Sequence, residues 1–322
     1  GDRTLTARHA VVVATGSSPA IPDAFAPVNP WTNRDATGVV DIPERLAIVG
    51  GGVVACEAAT WLAALGSSVT MFVRRTLLDR VEPFAADLVL EGLRRQGIDV
   101  RLGVSVGAAE RPGDLNDGLG RLHGGPVRLQ GDDQWEEFDE VLVATGRRLN
   151  TEALPGHERP AWLHLVGDVS GGPALTHWGK YRARLLGGRL RDEMLGVPVP
   201  SAPGHIPVPQ VIFTDPEVAA VGPTLEQARA DEPGAYALDV PITSASGVNL
   251  LVDHPEGKVR LVVAGDGRLL GATFVGPEVA ELVHAATVAV VGRMTLDQLW
   301  HAVPSFPTAS EVWLRLLEAS LD

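Results

Sequence analysis

Between residues 46 and 102 the chain alternates short, wholly apolar runs with segments of helical length, the pattern of a parallel sheet whose strands are joined by helices. It predicts strands over 46–49, 68–73 and 98–102 and helices over about 53–65 and 83–96, one βαβαβ unit. Upstream, an apolar run over 9–14 stops at Thr15-Gly16-Ser17-Ser18-Pro19 and predicts a strand covered on both faces, preceded by a short strand at 4–6. A Pro-rich connector spans 19–43. Residues 104–140 are rich in Gly and Asp with strand signals such as Val127-Arg128-Leu129, which predict a β-meander, and a second buried strand follows over 141–144.

The strands around the βαβαβ unit resemble each other. His9-Ala10-Val11-Val12-Val13-Ala14-Thr15-Gly16 matches Asp139-Glu140-Val141-Leu142-Val143-Ala144-Thr145-Gly146 in its apolar run and in its Ala-Thr-Gly end. A third strand over 162–166 ends in Gly167-Asp168 and leads to a helix near 175–195, and residues 198–204 read as a linker. The remainder has a different texture. Strands over 211–213 and 218–221, a hairpin over 258–263 and 268–275 turning at Gly265-Asp266-Gly267, and helices over 277–291 and 310–320 predict an α+β region.

Composition narrows the chemistry. A chain of 322 residues exceeds what one core usually holds, so two or three packed units are expected. One Cys makes no intrachain disulfide, cysteine-based zinc site or C-x-x-C pair, and no metal site is expected. A net charge of −13 argues against nucleic acid and anionic membrane surfaces, which are recognised through Lys and Arg. The longest apolar runs fall short of the roughly 20 residues that span a bilayer. Residues 1–15 lack a signal-peptide pattern, so a soluble cytoplasmic protein is expected, one that begins mid-domain at Gly1.

Gly50-Gly51-Gly52-Val53-Val54-Ala55 fits G-x-G-x-x-G/A after a predicted strand and at the start of a predicted helix. Gly50 permits the tight turn, Gly52 lets a pyrophosphate approach the backbone, and Ala55 allows close helix packing. An Asp or Glu about 20 residues on would select NAD through the ribose hydroxyls. Here Val73 is followed by Arg74 and Arg75, then Arg80, and guanidinium groups bind a 2′-phosphate by charge-assisted bonds. NADP is therefore the expected nucleotide; the alternative is a solvated basic turn.

These motifs, with Val166-Gly167-Asp168-Val169, Leu175-Thr176-His177 and the terminal Phe306-Pro307-Thr308-Ala309-Ser310-Glu311, stand in the order of the pyridine nucleotide-disulfide oxidoreductases, a family that includes glutathione reductase, dihydrolipoamide dehydrogenase and mercuric reductase. The chain resembles that family over essentially its whole length. The resemblance implies a Rossmann-like NAD(P)-binding domain inserted in a partial FAD-binding domain and followed by an α+β dimerisation domain. The boundaries are then FAD segment 1–36, NAD(P) domain 37–146, FAD segment 147–203 and dimerisation domain 204–322, in a homodimer. The family's own FAD fingerprint and its C-x-x-x-x-C disulfide would precede Gly1, and the 150–160 connection is shorter than usual.

By position, Asp168 after Gly167 would bind the ribityl chain of FAD, or else cap a helix. The turns Thr15-Gly16 and Thr145-Gly146 would line the same cofactor, with Thr176 and His177 near its ring; His177 serves equally well as a packing residue. Glu57 would pair with a Lys beside the flavin and help hydride pass to it, or stand as an exposed helix residue, and Cys56 reads as a small core residue. Glu311 sits where thiol-processing members pair a Glu with a catalytic His, yet the His position is Phe306, which transfers no proton. His301 substitutes only if the loop folds back. The expected function is thus an FAD-dependent NAD(P)H oxidoreductase, preferring NADPH, with a small quinone-like or other non-disulfide acceptor. The alternatives are a disulfide reductase with its cysteines upstream and a non-catalytic NADP-binding dimerisation module.

Overall fold

The computed structural model describes residues 6–112, 118–132, 134–152, 154, 160–201, 204 and 206–321. They divide into two compact units, Gly1–Ala20 with Arg147–Ile206 and Ile21–Gly146 with Pro207–Asp322.

In the larger unit, strands Asp99–Leu102, Ser68–Val73, Arg45–Val49 and Glu140–Val143 lie parallel in that spatial order. Their residues alternate between two cores. Leu46, Ile48, Met71 and Leu142 pack on Ala55, Ala58, Ala59 and Leu62 of helix Val53–Ala64 and on Val89 and Leu93 of helix Pro83–Arg95. Ala47, Val49, Phe72, Val141 and Val143 face the antiparallel sheet Val106–Glu110, Val127–Gly131 and Gln134–Phe138. Burial on both faces explains the unbroken apolar runs. Pro83 opens its helix at the first turn, where its missing N–H is not needed.

The C-terminal region of this unit is a five-stranded antiparallel sheet in the order Gln210–Ile212, Glu217–Val221, Leu269–Gly276, Lys258–Val263, Tyr236–Pro241. Phe274, Leu261 and Val259 fill a core with helices Val283–Val291 and Val312–Glu318. Gly92 lets helix Pro83–Arg95 rest on the chain near Asp215, since a Cβ there would stand 2.1 Å from the Asp215 carbonyl oxygen. Ile212, Val218 and Val275 complete the core beneath the parallel sheet.

The proline-rich connector departs from expectation. It holds the 3-10 turn Asp23–Val28 and helix Asn33–Thr37, whose Thr32 and Asp35 form a reciprocal capping box. Trp31 is fully buried and donates from Nε1 to the Arg121 carbonyl oxygen at 3.0 Å. Residues 21–36 therefore pack with the parallel sheet.

In the smaller unit, Val11–Val13 pairs in parallel with Leu163–Leu165, and Ser17–Pro19 pairs antiparallel with Arg147–Leu149. The strand at 17–19 replaces an expected turn, with Pro19 at its end, where a missing N–H interrupts least. Val12 is 47% exposed, so the first Val run is not covered on both faces; among the described residues it pairs with Leu163–Leu165 alone. Helix Thr176–Leu195 buries no residue. The two Ala-Thr-Gly strands are not equivalent: the first belongs to this unit, while Glu140–Val143 extends the parallel sheet of the other. Residues 4 and 5 of the expected first strand, and most of 153–159 in the short connection, lie outside the described residues.

Candidate functional site

The parallel sheet positions the fingerprint. Strand Arg45–Val49 runs into Gly50, whose φ of 136° belongs to the region that glycine alone adopts readily. A Cβ at Gly50 would stand 2.4 Å from the Ala144 carbonyl oxygen, and one at Gly51 would stand 2.6 Å from Val73 Cγ1. Both turns of the backbone are thus fixed by neighbouring strand ends. Gly52 is the helix N-cap, brings no side chain to the first N–H groups, and has open space where a Cβ would be. Ala55 is fully buried. The result is a backbone cradle at a helix N-terminus, suited to a pyrophosphate.

Beyond Val73 the chain exposes Arg74, Arg75 and Arg80 and buries Leu77 and Leu78 between them. Arg75 Nη2 lies 3.4 Å from Asp79 Oδ2, whereas Arg74 and Arg80 form no ion pair with a described residue. Thr145 and Gly146 follow the strand beside Gly50 and so stand at this edge of the parallel sheet; Thr15 and Gly16 belong to the smaller unit.

Glu57 projects from the second turn of helix Val53–Ala64, and its Oε1 accepts the Phe213 backbone N–H at 2.9 Å. Burial raises its carboxyl above the ordinary value, and that hydrogen bond opposes the rise. The folded chain then holds this proton to higher pH than the unfolded chain, so the carboxyl favours folding at acid pH and less so as pH rises through its folded value. Glu57→Gln retains an acceptor for Phe213; it is expected to raise the Tm at neutral pH, with the gain vanishing below the unfolded glutamate range. Equal gains at both pH values would contradict this. Cys56 is buried, its thiol pushed up to about 12 by burial, as suits a core residue.

In the smaller unit, strand Leu163–Leu165 leads through Val166 to Gly167 at φ 70° and Asp168. Asp168 Oδ2 accepts the Ser17 hydroxyl at 2.5 Å and lies 3.8 Å from Arg147 Nε; its other oxygen accepts nothing from a described residue. Asp168 opens a 3-10 turn in which no side chain caps the start, so the capping alternative is not seen. Thr15 and Asn150 exchange hydrogen bonds, each donating from its side chain to the other's carbonyl oxygen at 2.8 Å, and Ser18 donates to Asn150 Oδ1. Ser17, Arg147 and Asn150 thus belong to this constellation. Thr176 and His177 are exposed at the start of the long helix.

Near the C-terminus, the Phe306–Pro307 peptide is cis and Phe306 is 73% exposed. The following loop is seated on Gly247, where a Cβ would stand 2.1 Å from the Thr308 carbonyl carbon. Glu311 is buried beneath it. Its Oε2 accepts the Ser246 N–H at 2.8 Å and its Oε1 accepts Arg315 Nη2 at 2.5 Å. Burial would raise this carboxyl, but the Ser246 and Arg315 donors outweigh it and hold it below the usual range. Glu311 thus anchors the loop with both oxygens hydrogen-bonded. His301 is exposed, and its ring forms no hydrogen bond with a described residue. Among the described residues no three metal-binding side chains gather, and no helix is long and apolar enough to cross a membrane.

The family model described as pyridine nucleotide-disulphide oxidoreductase matches residues 1–163, and that of the same family's dimerisation domain matches 208–316. The chain is 31% identical to mercuric reductase of Shigella flexneri, over 93% of its own length and 54% of that protein's. It is 30% identical to dihydrolipoyl dehydrogenase of Chlamydia muridarum, over 98% of its own length and 69% of that protein's. It therefore spans between half and seven-tenths of these relatives. In fold it is similar to the HOCl-induced flavoprotein disulfide reductase RclA from Escherichia coli, with a TM-score of 0.80 at 22% identity over 95% of this chain and 72% of that one. LpdA from Mycobacterium tuberculosis also gives 0.80 at 22%, over 97% and 70%.

Proposed function

The chain belongs to the pyridine nucleotide-disulphide oxidoreductase family, and from that membership we propose an FAD-dependent NADPH oxidoreductase whose acceptor is a small electrophile such as a quinone. The observation that carries it is the open Gly52 cradle next to an arginine loop with no carboxylate on Arg74 or Arg80. Gly50, Gly52 and the helix start would hold the pyrophosphate, and Arg74 with Arg80 the 2′-phosphate. Ala55 keeps the helix close enough for that approach.

The smaller unit fits the sugar chain of a flavin. One Asp168 oxygen is oriented by Ser17 and the other is left to accept a hydroxyl, while Thr15, Gly16 and Asn150 fix the neighbouring turn. FAD, when bound, supplies the ring that accepts hydride. Thr176 and His177 would lie toward that ring, and Glu57, whose Oε1 accepts the Phe213 N–H, would be the carboxylate that helps hydride pass to it. Residues 6–20 and 147–201 would form the flavin-binding part, with the turns Thr15-Gly16 and Thr145-Gly146 lining the same cofactor. Residues 208–316 would form the homodimer contact.

Phe306 supports the acceptor class. A disulfide must receive protons on its leaving sulfur, and an imidazole general acid contributes about 10²- to 10⁴-fold to such steps. Phe306 offers none and Glu311 is occupied on both oxygens. The kinship to mercuric reductase and dihydrolipoyl dehydrogenase favours a second reading, reduction of disulfides or metal–thiol substrates. Anaerobic titration of the FAD-loaded protein with NADPH should bleach the yellow flavin absorbance, and turnover with a benzoquinone should exceed that with glutathione disulfide or lipoamide. A colourless protein that takes up no FAD rejects the flavin assignment; faster disulfide turnover selects the second reading.

A further inference from the structure

We propose that Glu82 is a positioning residue for nucleotide choice, tying the end of the arginine loop to the C-terminal sheet so that Arg80 is presented and unopposed. This rests on the NADP reading.

The loop is pinned on both sides of Arg80. Before it, Leu77 and Leu78 are buried in the core, and the Leu78 N–H donates to the Gly51 carbonyl oxygen at 2.8 Å, which fastens the loop to the fingerprint. After it stands Glu82, 1% exposed although it carries a carboxylate. Glu82 is the N-cap of helix Pro83–Arg95 but makes no side-chain hydrogen bond to that helix. It turns instead to the C-terminal region, where Oε1 accepts the Leu225 N–H at 2.7 Å and Oε2 meets Arg260 Nη1 at 2.8 Å. Arg260 in turn grips Asp239 with two bonds of 2.7 Å, and Lys258 Nζ lies 2.8 Å from the same carboxylate. Both cations stand over the ring of Phe84.

Two carboxylates and two cations balance, so the cluster leaves no net charge close to the loop. That matters because Glu82 is two residues from Arg80. A free carboxylate there would compete for the guanidinium or repel a 2′-phosphate; one held by Arg260 and Leu225 does neither. Glu82 thus has two effects through one set of contacts: it fixes the backbone after Arg80, and it keeps its own charge away from the site.

The test is the ratio of Kd for NAD+ to Kd for NADP+, measured by titration calorimetry on the intact chain. Glu82→Gln should lower this ratio roughly tenfold with the Kd for NAD+ unchanged. Arg260→Met, which leaves the Glu82 charge unpaired, should lower it further, and Glu82→Gln with Arg260→Met should do no worse than Arg260→Met alone. General loss of structure would weaken both nucleotides together and leave the ratio in place. Where Arg260→Met does not fold, Arg260→Lys keeps the charge, loses the fork and should shift the ratio less in the same direction. A ratio unmoved by Glu82→Gln and Arg260→Lys, while replacement of Arg74 and Arg80 moves it, overturns the positioning role. Equal affinities for the two nucleotides in the wild-type chain overturn the NADP reading and this inference with it.

Discussion

With Arg74 and Arg80 both replaced by alanine, the Kd for NADP+ rises about a hundredfold while that for NAD+ changes by less than about twofold. The estimate takes each guanidinium–phosphate contact as worth about 1.4 kcal/mol, tenfold in affinity. Arg74 and Arg80 are the residues to remove because neither is engaged by a carboxylate, so neither must break an ion pair to receive a phosphate. Arg75 differs. It already faces Asp79 at 3.4 Å in an exposed pair, and its replacement should cost less than either of the others. Since the loop is exposed, the effect should shrink as salt is raised, with little left once the screening length falls to a few ångströms at about 1 M. An unchanged ratio of the two nucleotides at low salt would mean that the loop does not read the 2′-phosphate.

The parts of this site that were legible in the sequence are those decided locally. Gly50, Gly52 and Ala55 announce a phosphate cradle because each glycine answers a requirement of its own turn, and Val73 followed by arginines marks the strand end by composition alone. The parallel strands were legible for a similar reason: burial on both faces leaves them no polar alternation. The connector was not, because Phe25, Val28, Trp31 and Ala36 are isolated apolar residues among prolines, and their core comes from residues elsewhere in the chain, Ala109, Val127 and Val141 for the first two and Leu142 for the others. The sheets joined by the twin Ala-Thr-Gly strands were illegible for the same cause. A strand's local sequence states that it is buried, whereas its sheet is chosen by a distant neighbour, here Ala47 and Val49 for the second copy and Leu163 to Leu165 for the first.

Carboxylates show the limit most sharply. Glu311 stands at the motif position of a catalytic partner, yet Ser246, sixty-five residues earlier, supplies the N–H that fixes it. Glu82 carries no motif at all, and its importance follows from Leu225 and Arg260. Ser17, Arg147 and Asn150 went unremarked although Arg147 and Asn150 directly follow Thr145-Gly146; polar residues after a strand are too common to be a signal without the Asp168 and Thr15 they contact.

Glu140→Ala should destabilise the larger unit by about 3–5 kcal/mol, the usual result of stripping a buried charge of its partner. Glu140 and Arg111 both have fully buried side chains and are joined through Oε1 and Nη2. Glu140 also accepts the backbone N–H of His123 and of Val141, each at 3.0 Å, so alanine strands an arginine and two N–H groups at once. His123 Nδ1 lies 3.0 Å from Oε2, too far off the bond direction to serve as a donor, and it rescues nothing. Arg111 keeps its carbonyl acceptors on Val28 and Gly125, which hold its position but not its charge. The comparison is Glu137→Ala, which removes one of two carboxylates from the half-exposed Arg45 and should cost less than about 1 kcal/mol. Urea unfolding of the two variants, read against the wild type, measures the difference. Because Glu140 begins the strand that ends beside Gly50, the loss should carry nucleotide binding down with it at urea concentrations the wild type withstands. Equal midpoints for the two variants would show that the buried pair contributes no more than the exposed one.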